Sequence, residues 1–178
     1  IEESKTGTKT EVKTEDNGEI LYYKWLSDRD RLIIAEKVVK DGETVIQLIT
    51  YSPKDSSVSY VTSICDYEDD MKVMKITEST FTSVYYVDIY RGGLKSMVYR
   101  IDINNDKSKV SLQASVLGNM QVIPHVDRLV YEDEINNKFY VTSPNKQLTF
   151  NSNKNLTLLG IDRNDVIYIG ELNGEKIS

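Results

Sequence analysis

Most of the chemistry a protein can do needs residues that this chain hardly has: its 178 positions hold one cysteine, one histidine, one tryptophan and three prolines. The lone thiol, Cys65, can form neither an intramolecular disulfide nor a multi-thiolate metal site. Its place in the β-prone run Val61-Thr62-Ser63-Ile64-Cys65 makes it a buried structural thiol rather than a reactive one. That count decides nothing about redox compartment, because many secreted proteins of ordinary size do without disulfides. With His125 alone, neither a histidine-built metal site nor a complete Ser-His-Asp system has parts to spare. Gly-rich phosphate loops, a Gly-x-Ser-x-Gly elbow and Cys-x-x-Cys pairs are all missing. No catalytic residue, no metal site and no cofactor is assigned from the sequence.

Other absences narrow the partners. Lys plus Arg number 22 against 28 for Asp plus Glu, a net charge of -6, and no basic face stands out. Nucleic acid and acidic lipid are therefore poor partners, since both are bound through concentrated positive charge. No run of about 18 apolar residues occurs, so this portion is not expected to span a membrane. A sustained apolar period of 3.6 is missing too, which leaves strands to account for nearly everything.

What is present is a short unit that returns four times: Asp30-Arg31-Leu32-Ile33-Ile34-Ala35, Thr82-Ser83-Val84-Tyr85-Tyr86-Val87, Asp127-Arg128-Leu129-Val130-Tyr131-Glu132 and Asn164-Asp165-Val166-Ile167-Tyr168-Ile169. Each copy is a polar turn leading into a β-prone run. With Leu32, Val84, Leu129 and Val166 taken as equivalent, the spacings are 52, 45 and 37 residues. They lie around the roughly 40 to 50 residues of a four-stranded propeller blade and are too long for one hairpin. The first unit reads as strands at 20–26, 31–39, 43–51 and 58–64, and the second at 71–77, 83–90, 95–103 and 110–116. The third reads as strands at 120–123, 128–135, 138–142 and 147–150, and the fourth at 156–161, 165–172 and 175–177. Asp41-Gly42, Gly92-Gly93, Asn136-Asn137 and Asn173-Gly174 mark the same hairpin joint in each, where tight turns require positive φ.

The expectation is an all-β protein: a β-propeller-like array of four small antiparallel sheets in one domain over residues 19–178, with repeats at about 20–66, 71–117, 120–151 and 156–178. The fourth repeat ends after three strands, which leaves an edge to cover. Residues 1–18 are polar, of linker composition, and the alternating stretch 8–15 has the period of a strand. That stretch is expected to pair with 175–177 and close a ring.

The order Trp25-Leu26-Ser27, then 28–35, then a glycine-turn hairpin resembles blades of TolB and of the dipeptidyl peptidase IV propeller. The likeness is one of blade rhythm over residues 19–178. The aspartate and asparagine positions of the TolB blade motif are not cleanly kept, and no serine nucleophile or other catalytic residue is carried over from the peptidase. The chain is also similar to surface proteins of low-GC Gram-positive bacteria that sit behind an N-terminal anchor. That resemblance implies an extracellular or membrane-anchored, extracytoplasmic domain with a non-catalytic binding or sensing role. The start at Ile1 without Met fits the same expectation.

Asp102-Ile103-Asn104-Asn105-Asp106 has oxygen side chains at positions 1, 3 and 5 of a calcium loop, but Lys107 replaces the required glycine and Gln113 the bidentate glutamate, so it reads as a turn. The acidic runs at 67–70 and 132–134 read as solvated loops. Glu78 and Asp162 follow predicted inner strands without forming a glycosidase set. The remaining binding signal is aromatic, for 12 residues are Tyr. Tyr23, Trp25, Tyr86 and His125 are the candidate ligand-binding residues, for a protein, peptide or glycan. A structural spacer and, more remotely, a glycan-processing hydrolase are the competing readings.

Overall fold

The computed structural model describes residues 12, 14, 18–26, 30–79, 83–92, 95–104, 107–117, 120–123, 128–133, 138–143, 146–151, 156–161, 166–173 and 176–177. Among them every element is a strand, and every strand pair is antiparallel. The first sheet is a meander of β1 (Glu19–Trp25), β2 (Leu32–Lys40), β3 (Glu43–Ser52) and β4 (Ser57–Asp66). The second repeats it with β5 (Lys72–Glu78), β6 (Val84–Arg91), β7 (Lys95–Asn104) and β8 (Lys107–Leu117). The third contains β9 (Met120–Ile123), β10 (Arg128–Asp133), β11 (Lys138–Ser143) and β12 (Lys146–Asn151). The fourth has β13 (Leu156–Ile161), β14 (Ile167–Asn173) and β15 (Lys176–Ile177). No closed ring is formed by the described residues.

Turn chemistry explains the joints. Between β2 and β3, Asp41 and Gly42 take φ of 53° and 86°, the doubly positive pair that matches a two-residue turn to right-twisted strands. Between β3 and β4, the Asp55 Oδ1 accepts from the Ser57 amide at 3.2 Å and the Ser57 hydroxyl at 2.8 Å, which supports Ser56 at φ 57°. A side-chain bond from Ser52 to the charged form, together with these two from Ser57, holds the Asp55 carboxyl below its ordinary value. The joints at Gly93, Asn136-Asn137 and Gly174 lie outside the described residues.

Hydrogen bonding corrects the alignment of the repeat by one residue. The Leu26 amide donates to the Arg31 carbonyl at 2.9 Å, and Trp25 then pairs with Leu32. In the second sheet the Ser79 amide donates to the Val84 carbonyl at 2.9 Å, and Glu78 pairs with Tyr85. Leu32 is therefore the counterpart of Tyr85, not of Val84. Because side chains alternate between faces, a one-residue slip reverses which residues look each way.

With that register the packing becomes uniform. Ile33 and Ala35 of β2 meet Val87 and Ile89 of β6 in one core, so the front of the first sheet lies on the back of the second. Val84 and Tyr86 of β6 and Val98 of β7 meet Leu129 of β10, so the front of the second sheet lies on the third. β1 runs beside β5 and β4 beside β8, which aligns the first two sheets strand for strand. This head-to-tail order is that of a repeated array, whereas two sheets related by a two-fold would join like faces.

The back of the first sheet is covered as well. Leu32, Ile34, Ile49 and Tyr51 are at most 3% exposed there, and Val12 packs against them. Gly18 lies over the same face, so close that a Cβ on it would stand 2.6 Å from Glu36 Oε2 and from Val38 Cγ1. Its amide donates to the Thr14 hydroxyl at 2.9 Å. The rest of the stretch 8–15 lies outside the described residues.

Candidate functional site

At the end of the first two sheets where β1, β3, β5 and β7 finish and β2, β4, β6 and β8 begin, the described residues enclose a cleft of about 540 Å³. Its walls come from strand ends: Thr50 of β3 and Ser59 of β4 on one side, Ser83 and Ser108 on the other. Tyr85, Val61 and Ile103 supply the apolar floor, and Tyr85 is only 9% exposed. Arg31 and Tyr60 complete the rim among the described residues. The sheets are tied beside the cleft where the Ser108 hydroxyl donates to the Val61 carbonyl at 3.0 Å. Tyr60 is held in place too, since its hydroxyl accepts from the Ser63 amide at 2.8 Å and its ring carries the Lys40 ammonium at 3.9 Å. Burial alone would raise the Tyr60 phenol, but the Ser63 bonds and the Lys40 charge bring it below its ordinary value.

A second feature lies along the edge strand β1. Ile20, Tyr23 and Trp25 pair with Glu36, Ile34 and Leu32, so all three stand on the back of the first sheet. They are 38%, 50% and 43% exposed, although their cross-strand partners are buried. Tyr23 and Trp25, singled out from the sequence, are thus brought together on one face. Tyr86 is placed elsewhere, 3% exposed in the core between the second and third sheets. His125 lies outside the described residues. The adjacent tyrosines 85 and 86 enter two different cores, as strand alternation between covered faces requires.

Asn105, Asp106, Glu134 and Asp162 lie outside the described residues, while others of the polar features have structural neighbours. Glu68 of the acidic run pairs with Arg91, and the backbone of Gly92 presses against Asp70. Asp102 accepts from Arg100 at 3.0 Å. No cluster of three or more potential metal ligands occurs among the described residues. Burial raises the Cys65 thiol, in keeping with a structural role, and raises the nearby Tyr99 phenol to about 12.

Two buried acids were not foreseen. Glu36 is 1% exposed, with Oε1 accepting from Gln47 Nε2 at 2.7 Å across the β2–β3 pair. Asp88 stands opposite Lys75 on the front of the second sheet with Oδ1 buried, and burial pushes its carboxyl up to about 6 while Lys75 pulls it down. Their position inside continuous β-runs was the available signal. Nothing in the sequence pointed to the cleft, whose lining is scattered from Arg31 to Ser108.

No protein-family model matches the chain, and no curated protein or solved structure matches it either. Among the described residues no helix is long and apolar enough to cross a membrane.

Proposed function

We propose that this chain is a non-catalytic binding module, presented outside the cytoplasm at a bacterial cell surface, that holds a peptide or glycan on the exposed aromatic strip of β1. The observation that carries the reading is the pairing of half-exposed Tyr23 and Trp25 on one face of an edge strand. Large aromatic side chains offer flat apolar area at small entropic cost, and buried packing does not require them here. Their exposure next to an apolar Ile20 gives a ligand a surface that a pure spacer has no need to maintain.

The architecture that suits this role is a propeller-like ring resembling the TolB blades, with the stretch 8–15 completing the three-stranded fourth sheet. Head-to-tail stacking of the first three sheets supports it, because a ring needs each front to meet the next back. Val12 packs against the back of the first sheet, so part of the N-terminal stretch lies on that face while Ile20, Tyr23 and Trp25 of β1 stay exposed on it.

Trp25 is the sole tryptophan, so its emission reports this site directly. Titration with soluble cell-wall glycan fragments and with short peptides is expected to shift that emission for one class, with affinity falling roughly 10-fold in Tyr23→Ala. Unchanged emission across both classes defeats the binding reading and leaves a spacer.

A further inference from the structure

We propose, building on the aromatic strip of β1 as a ligand surface, that the ligand is an extended peptide, taken up at the open edge of β1 as an additional antiparallel strand of the first sheet. The bonding pattern of that edge points to it. The Leu26 amide donates to the Arg31 carbonyl, so alternation along the antiparallel pair makes Trp25–Leu32 an unbonded pair, Lys24–Ile33 a bonded one and Tyr23–Ile34 unbonded again. The backbone N–H and C=O groups of Tyr23 and Trp25 therefore point away from β2, out of the sheet edge. Among the described residues no strand pairs with β1 on that side.

Side chain and backbone coincide here. The two residues whose backbone groups face the open edge are the two whose rings are 50% and 43% exposed on the back of the sheet. The second sheet shows that the stacked array does not itself require this. There the Ser79 amide closes on the Val84 carbonyl in the same way, which makes Glu78 the counterpart of Trp25 and Ile76 that of Tyr23. Ile76 is 1% exposed, and a carboxylate at Glu78 is one of the devices by which an edge strand discourages a further strand. β1 has an exposed aromatic pair at these two positions instead.

The spacing of these groups selects the occupant. Residues two apart on a strand repeat at about 7 Å, and the chain that offers complementary donors and acceptors at the same repeat is another extended polypeptide. A glycan has no backbone amides in series. In antiparallel pairing, the peptide residues opposite Tyr23 and Trp25 exchange two bonds each with them, and their side chains fall on the same back face as the two rings. Apolar β-branched or aromatic residues at alternate peptide positions then pack on those rings, which sets the sequence preference. The register shift between Ile20 and Tyr22 interrupts the regular ladder, so the docking stretch is short and centred on Tyr23 and Trp25.

The full chain is titrated with a capped peptide of alternating valine and threonine, flanked by lysines for solubility, and followed by Trp25 emission and by amide hydrogen exchange. In the free chain the Lys24 amide is expected to exchange slowly and those of Tyr23 and Trp25 fast, and the peptide should slow the latter two by at least roughly 10-fold. N-methylation of the valine amides, which face β1, should weaken binding by roughly 10-fold or more, while N-methylation of the outward threonine amides changes it by less than about 3-fold. Tyr23→Pro removes an edge amide that makes no bond to β2, so it should fold as Tyr23→Ala does by circular dichroism yet bind about 10-fold more weakly than that variant. Strand addition is overturned if emission shifts while both amides stay fast, if the two methylated peptides bind alike, or if the two Tyr23 variants bind alike; the aromatic strip then stands as a side-chain site. An emission shift with glycan fragments alone overturns it in the same way. Unchanged emission with both classes removes the strip reading as well. Protection that grows with protein concentration without peptide assigns the edge to a second copy of this chain, and that too overturns the proposal.

Discussion

Asp88 is where a single residue works against the fold. Its carboxyl sits on the face of the second sheet that packs on the third, with Oδ1 buried and Lys75 as its cross-strand neighbour. Burial raises its pKa from 3.8 to about 6. The folded chain therefore binds this proton more tightly than the unfolded chain does between these two values. Over that window the native state holds more protons, so stability falls as pH rises from about 4 to about 6 and then levels off. Part of the group still meets solvent, which trims the effect to on the order of 1 to 2 kcal/mol. Asp88→Asn removes the charge and keeps the shape. It is expected to raise the melting temperature at pH 7 by about 2 to 6 °C and to flatten the curve between pH 4 and 6. A variant no more stable at pH 7 than the parent would show that Lys75 offsets the burial completely. Glu36 differs in kind, because Gln47 gives one of its oxygens a short bond on the covered back of the first sheet. Gln47→Leu should accordingly cost about 2 kcal/mol or more in urea unfolding, the penalty for stripping a buried carboxylate of its donor. A cost below about 0.5 kcal/mol would mean that another group takes over the bond.

At the scale of elements, the turns and the pairing obey different rules. Gly42 has φ of 86° with nothing within 4 Å of the place a Cβ would occupy, so substitution there costs backbone strain alone. Gly42→Val is expected to destabilise by about 1 to 2 kcal/mol and Gly42→Asn by clearly less, since asparagine tolerates the left-handed region. Equal losses in chemical denaturation would place the cost in the side chain instead of the backbone. Such turns are local, and this is why Asp41-Gly42 announced its hairpin from sequence and why β2, β3, β6 and β7 fall within a residue or two of where the runs of Val, Ile and Tyr predicted. Register is not local. Leu32 and Val84 both follow a polar turn and both head β-prone runs, and only the closing bonds from Leu26 and Ser79 show that Tyr85 is the true counterpart. Tyr86 lies in the core beside the third sheet for the same reason: its direction depends on register and on the sheet that covers it. Tyr23 and Trp25 keep about half their surface exposed on β1, the edge strand of its sheet, where one neighbour is missing. The cleft was illegible, since no motif links Arg31, Thr50, Ser83 and Ser108 until two sheets are stacked.

At the scale of the molecule, the stacking rule leaves one face to account for. The front of the first sheet lies on the back of the second and the front of the second lies on the third, an order in which neither neighbour covers the back of the first sheet. Yet Leu32, Ile34, Ile49 and Tyr51 on that back are as buried as the residues between sheets. Val12 is among the side chains that cover them, and Gly18 reaches the same face over Glu36 and Val38 with no room for a side chain. The polar N-terminal stretch, whose composition reads as linker, therefore contributes apolar burial to the core of the first sheet. A half-buried valine is worth about 1 kcal/mol, roughly half of what full burial gives, which corresponds to about 2 to 4 °C in a chain of this length. Removal of residues 1–18 is expected to lower the melting temperature by an amount in that range and to expose enough of the back face to bind a hydrophobic dye. Gly18→Ala should reproduce part of the loss in the full chain, because its Cβ would displace Glu36 and Val38 from the covered face. If the truncated chain melts at the parent temperature without binding dye, the N-terminal stretch does not seal this face, and the ring closure proposed through it falls as well.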